Sequence, residues 1–161
     1  MTDQNSELRT VLTQCCASDR WVAEMESRWP FDSRELMEQA AADIWWSLDE
    51  ADWRAAFAAH PEIGDLESLR ASFADTRAMA AGEQSAVAEA AEETIRELAS
   101  ANREYRERFG SIFIVCATGK TAAEMLSILR SRLDNDPAVE IRIAAAEQLK
   151  ITQLRLQKIE P

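Results

Sequence analysis

The stretch from Asn135 to Leu156, NDPAVEIRIAAAEQLKITQLRL, decides the fold class. Pro137 follows two side chains able to cap, Asn135 and Asp136, and opens a helix at the one position where a missing N–H costs nothing. Behind it Ile141, Ala145, Leu149 and Leu156 recur at helical spacing, while Arg142, Lys150 and Lys158 fall on the outside. The same three-and-four rhythm runs through most of the 161 residues, which include only four Gly and four Pro, so an all-α chain is expected.

Working outward, a first helix should end near Cys16, and Ser18 or Asp19 can cap a second that carries Trp21 and Met25 and closes at Trp29-Pro30. Asp32 or Ser33 caps the next, whose apolar stripe reads Leu36, Ala40, Ile44, Trp45 and Leu48. Trp53 and Phe57 mark a short helix that stops at His60-Pro61. An amphipathic segment follows through Leu66, Leu69, Phe73 and Met79. Gly82 separates it from a long helix through Val87, Ile95, Leu98, Asn102 and Tyr105, which Gly110 ends. Ser111 to Ala117 is the only strand-like apolar run and reads as an extended buried segment. Thr118, Gly119 and Thr121 then offer turn and cap chemistry for a helix with Met125, Leu129 and Leu133. The length suits one domain, residues 1–161, built as a bundle of about seven to nine helices.

Composition narrows the function classes. Acidic side chains outnumber basic ones 29 to 18, a net charge of −11, which repels a phosphate backbone and argues against nucleic acid as a partner. No apolar run reaches the roughly 18 residues that span a bilayer, so no membrane association is expected. Cys15, Cys16 and Cys116 form no CxxC pair, and with one His in the chain no zinc spacing can be assembled; a reducing cytosol is the expected compartment. The start, MTDQNSELRT, has no basic-then-apolar leader, and the end, Ile159-Glu160-Pro161, is not of the peroxisomal SKL type.

Few side chains are suited to chemistry. His60 alone has an ordinary pKa, roughly 6.5, that lets it give and take a proton near neutrality, and Pro61 after it places the imidazole at a helix end. An ordinary helix-end histidine is the other reading of that position. Glu83 and Gln84 stand at the start of the long helix, where an acid beside an amide can hold a polar heterocycle or simply serve as first-turn charge. Phe113, Ile114, Val115, Cys116 and Ala117 read first as core, yet a non-helical buried backbone needs partners that a polar ligand can supply. Arg155 lies between leucines, so an inward guanidinium would call for an anionic partner and an outward one would be solvated. Cys116 is a conceivable nucleophile, although buried structural cysteine is commoner.

Several segments together resemble the OHCU decarboxylases. His60-Pro61-Glu62-Ile63-Gly64 is similar to their HPxIG motif, Glu83-Gln84-Ser85 to their EQ segment, and Asn102 to Gly110 to NxxYxxRFG. Phe113 to Lys120 resembles the FxxCAxG(R/K) segment of plant-type members. Arg132 to Asn135, Glu140, Glu147-Gln148 and Lys150 to Arg155 resemble the closing pattern. The resemblance runs in order from about Phe57 to Ile159, and residues 1–56 match only in being helical with aromatics.

That resemblance implies the OHCU decarboxylase fold, a likeness to a homodimeric cytoplasmic enzyme of urate breakdown, and a reaction without metal or cofactor. The implied reaction converts 2-oxo-4-hydroxy-4-carboxy-5-ureidoimidazoline to (S)-allantoin and CO2. It implies His60 as catalytic acid-base with Glu83 orienting it. Substrate contacts are implied for Pro61, Glu83, Gln84, Arg155, the position of Ala80 and the backbone of Phe113 to Ala117. Ala80 stands where many members carry a small hydroxyl residue. That departure supports the alternative of a non-catalytic helical module pairing with a urate-pathway enzyme.

Overall fold

Short polar side chains set the helix starts. In the computed structural model, which describes residues 2–60 and 85–161 with side chains for 3–60 and 92–161, α1 spans Thr2–Cys15 and α2 spans Asp19–Arg28. Ser18 is the N-cap of α2 and accepts from the Trp21 N–H at 3.4 Å. Trp29, held extended at φ −74° and ψ 141° before Pro30, ends that helix. Ser33 caps α3 (Arg34–Ser47) by accepting from the Leu36 N–H at 3.2 Å. Asp49 and Asp52 cap α4 (Glu50–Ala58) reciprocally, each carboxylate accepting from the other's backbone N–H. The long α5 (Ser85–Phe109) stops at Gly110, whose φ of +75° is one that a residue with a Cβ adopts only at a cost. Thr121 caps α6 (Ala122–Leu133), and Pro137 begins α7 (Pro137–Leu156). Among the described residues there are seven helices and no strand, and no helix is long and apolar enough to cross a membrane. The amphipathic segment expected around 66–79 and the break at Gly82 lie outside the described residues.

The chain divides into two compact units, Met1–His60 with Ile141–Pro161, and Pro61–Glu140. In the first, α1 to α4 pack with most of α7 around Leu12, Trp21, Met25, Met37, Ile44, Trp45, Phe57 and Leu156, all buried. Three indoles tie its helices together through backbone oxygens. Trp21 Nε1 donates to Ala41 O at 3.2 Å, Trp45 Nε1 to Ala145 O at 2.9 Å, and Trp53 Nε1 to Trp45 O at 3.0 Å. Ala41 and Ala145 are themselves fully buried, and their methyl groups let the helices come close enough for the rings to reach those carbonyls.

Leu36 departs from the expected stripe of α3, being 53% exposed. The buried face runs through Met37, Ala40, Ala41, Ile44 and Trp45, at spacings of three and four, which leaves Leu36 one residue off its edge.

The second unit has an apolar cluster of Ile95, Leu98, Ala99, Tyr105, Leu126 and Leu129, with Phe109, Phe113 and Leu133 against it. Beside it lies a buried ionic group. Arg132 Nε donates to Glu140 Oε1 at 2.6 Å, Tyr105 Oη donates to the same oxygen at 2.7 Å, and Asn135 Nδ2 donates to Oε2 at 3.0 Å. Arg132 also donates to Ile114 O at 2.7 Å and lies 4.7 Å over the Phe113 ring. Burial, and then the bond to Glu140, pushes the Tyr105 hydroxyl's pKa well above its ordinary value.

The 111–117 stretch has neither helix nor ladder; Ile114 and Cys116 are buried, Phe113 and Val115 half-buried, and Ala117 exposed. It is thus buried in alternate positions rather than throughout, as the two-residue period of an extended chain requires. Its two buried residues have their carbonyls taken by side chains, Ile114 O by Arg132 and Cys116 O by Lys120 Nζ at 2.7 Å, so no neighbouring strand is needed.

Removing the guanidinium while leaving Glu140 buried should be severe. Arg132→Met is expected to cost about 3–5 kcal/mol in denaturant unfolding, and pairing it with Glu140→Leu should recover most of that. A single variant within about 1 kcal/mol of wild type would show that the pair does not organise this unit.

Candidate active site

His60 sits just past α4, with its N–H donating to Phe57 O at 3.2 Å, so the last turn of the helix positions the imidazole. The ring is half-buried, and its Nε2 lies 2.5 Å from Gln148 Oε1 on α7. Gln148, Thr152 and Arg155 recur at four and three along α7 and so share one face. Gln148 Nε2 donates to Thr152 Oγ1 at 3.1 Å, and Thr152 Oγ1 lies 3.3 Å from Cys15 O at the end of α1. Arg155 reaches the same helix end, with NH1 3.0 Å from Gln14 O and 3.5 Å from Cys15 O.

The last carbonyls of a helix lack partners within it and carry the negative end of its dipole, so a guanidinium is well placed there. Arg155 is therefore half-buried, and the partner that an inward guanidinium demands is a pair of backbone oxygens rather than a carboxylate. Its charge also acts on His60. Burial is the largest influence holding the His60 pKa below 6.5; the bond with Gln148 opposes it, and the positive charge of Arg155 adds to it. His60 is accordingly neutral at pH 7, the form that accepts a proton. The thiols at this helix end are not reactive in the same sense, since burial raises the pKa of Cys15 and pushes Cys16 up to about 12.

The structure thus brings together two of the residues singled out in the sequence, His60 and Arg155. Pro61, Ala80, Glu83 and Gln84 lie outside the described residues, and Phe113 to Ala117 belong to the second unit. Gln148 and Thr152 have roles that the sequence reading did not assign, although a signal was there. They occupy positions three and seven after the core residue Ala145, on the face of α7 that ends in Leu156, and an amide and a hydroxyl on such a face must have specific partners.

The protein class follows from this helical architecture and from comparison with known proteins. The family profile described as OHCU decarboxylase matches residues 2–157, and the chain belongs to that family. It is 40% identical over 146 residues to the uric acid degradation bifunctional protein TTL of Arabidopsis thaliana, covering 90% of this chain and 45% of that protein. It therefore spans less than half the length of that relative. A 2-oxo-4-hydroxy-4-carboxy-5-ureidoimidazoline decarboxylase of Haloferax volcanii is 30% identical over 84% of this chain and 79% of its own. A crystal structure of an OHCU decarboxylase in the presence of (S)-allantoin superposes with a TM-score of 0.71 at 39% identity, covering 91% of this chain and 94% of the other.

Because the fold lowers the pKa of His60, the unfolded chain binds a proton first as pH falls. The stability that His60 contributes is complete above about 6.5 and is lost as pH drops from there through the folded value. With one histidine in the chain, a proton NMR titration of the imidazole reads this without ambiguity. A midpoint below 6.5 is expected in the wild type, with an upward move in Arg155→Gln; a wild-type midpoint at or above 6.5 would contradict the assignment.

Proposed function

We propose that this chain decarboxylates 2-oxo-4-hydroxy-4-carboxy-5-ureidoimidazoline to (S)-allantoin and CO2, with His60 as the acid-base group. The observation that carries the reading is a neutral, half-buried imidazole bonded to Gln148, on the α7 face that also carries Arg155. Family membership gives the reaction class, and the named relatives support the substrate.

The chemistry suits such a sparse set of groups. The carboxylate leaves from a carbon next to a C=N bond, which takes up the electron pair, so the substrate is its own electron sink and neither metal nor coenzyme is called for. His60 takes the proton of the substrate hydroxyl as that carbon becomes a carbonyl, and a proton added to one face of the neighbouring carbon sets the S configuration. Arg155 and Gln84 hold polar groups of the ring and ureido arm, and Glu83 orients His60 through one water. Pro61, Ala80 and the backbone of Phe113 to Ala117 contact the substrate. The carbonyls of Ile114 and Cys116 in that stretch are engaged by Arg132 and Lys120. We further propose that residues 1–161 act as one domain in a cytoplasmic homodimer, for which light scattering should return twice the 18.1 kDa chain mass.

The direct test adds the protein to freshly made urate-oxidation products and follows allantoin and its optical sign. His60→Asn should lower turnover on the order of 10²- to 10⁴-fold, roughly 3–5 kcal/mol of barrier, with little change in melting temperature. Exhaustive chelation should change nothing. A variant that melts normally and still forms (S)-allantoin at near wild-type rate would remove His60 from the mechanism.

The single-domain reading has its own measurement. All five tryptophans lie in the first unit, so their fluorescence reports that unit, whereas helical circular dichroism reports both. One domain requires the two unfolding transitions to coincide; separate midpoints would mean that the units melt independently.

A further inference from the structure

The hydrogen bonds that end on His60 have a direction. A backbone carbonyl only accepts, so Thr152 Oγ1, 3.3 Å from Cys15 O, donates its single proton there. The hydroxyl oxygen then accepts from Gln148 Nε2 at 3.1 Å, which turns Gln148 Oε1 toward His60 Nε2 at 2.5 Å. An amide oxygen cannot donate, so Nε2 of His60 must carry the hydrogen. Turning the amide over would make Thr152 donate to Gln148 and leave the Cys15 carbonyl only the long contact with Arg155 NH1 at 3.5 Å, one bond fewer. Gln148 and Thr152 are each 1% exposed, so water does not make up that loss.

We propose that Gln148 is a positioning residue that holds the neutral His60 in the Nε2–H tautomer, making Nδ1 the nitrogen that takes the substrate's hydroxyl proton. The proposal rests on the reading of His60 as the acid-base group. Had the ring been free to choose, part of the population would present an N–H where the reaction needs a lone pair. Once Nδ1 gains its proton, the Nε2–H bond to Gln148 persists, so the imidazolium forms without any rearrangement on that side. An amide also differs from a carboxylate in this place, because it orients the ring without adding a negative charge that would raise its pKa.

Nitrogen NMR of uniformly labelled, tag-free protein tests this directly, since the single histidine gives the only imidazole signals and the two tautomers have distinct ring nitrogen shifts. Wild-type protein above the His60 titration should show the Nε2–H form. Gln148→Met should lose that preference and lower kcat about 10- to 100-fold, with a much smaller change in KM. Gln148→Glu should keep the tautomer, shift the acid limb of the rate profile to higher pH, and recover most of the turnover above that limb. If Gln148→Met does not fold, Thr152→Val, which removes the hydroxyl that orients the amide, should weaken the tautomer preference in the same direction. An Nδ1–H form in the wild type, or unchanged tautomer and kcat in Gln148→Met, overturns the proposal. An Nε2–H ring in a chain that releases no CO2 would count against the decarboxylase reading alone. Full activity with an Nδ1–H ring would count against this one alone.

Discussion

A helix that ends inside a protein leaves carbonyl groups that must find donors, and the end of α1 sets that requirement for the first unit. Gln14 and Cys15 turn their oxygens toward α7, where Arg155 and Thr152 answer them. Meeting this demand spends the Thr152 proton, which orients Gln148, which in turn faces His60. The imidazole is therefore held by a constraint that begins at a backbone carbonyl three hydrogen bonds away. Arg155 takes part twice, by closing the helix end and by placing a positive charge that helps keep His60 neutral.

The second unit solves a different problem with similar means. An extended segment that pairs with no strand has carbonyls to satisfy, and Arg132 and Lys120 supply the donors at Ile114 and Cys116. Burying Arg132 for that purpose costs several kcal/mol of desolvation, which pairing with Glu140 offsets, while Tyr105 and Asn135 donate to the remaining lone pairs of that carboxylate. Tyr105, Arg132, Asn135 and Glu140 all belong to segments that resemble the family's motifs, and here they serve the backbone. A recurrent motif thus identifies a structural need as readily as a catalytic one.

Local chemistry explains what could be read in the sequence. Caps depend on one side chain and the next three residues, so they were legible to within a residue, as Ser18 or Asp19 and as Asp32 or Ser33, with Thr121 among the candidates before α6; the stops at Trp29 and Gly110 were legible too. The stripe of α3 was read one residue too wide at Leu36, because spacing alone does not show where a buried face stops. Longer-range matters were less legible. That Arg155 would meet carbonyls of α1, 140 residues earlier, follows only from the packing of two helices, and the same packing gives Gln148 its partner. His60 stood out by chemistry, being the one histidine, whereas Gln148 and Thr152 appeared only within the resembling closing pattern and as polar residues on an otherwise apolar face, with no role attached. Glu83 and Gln84 stood out as an acid beside an amide at a helix start, Ala80 and the contact by Pro61 came by resemblance, and the place of all four in the site is a matter for experiment.

The indole of Trp45 reaches the backbone of α7 at a residue whose side chain is a buried methyl group, and Trp21 meets α3 in the same way at Ala41. Each tryptophan thereby depends on how closely a second helix passes at a residue far from it in sequence, and in both cases that residue is a buried alanine. In the divergence of such chains the members of each pair cannot drift independently.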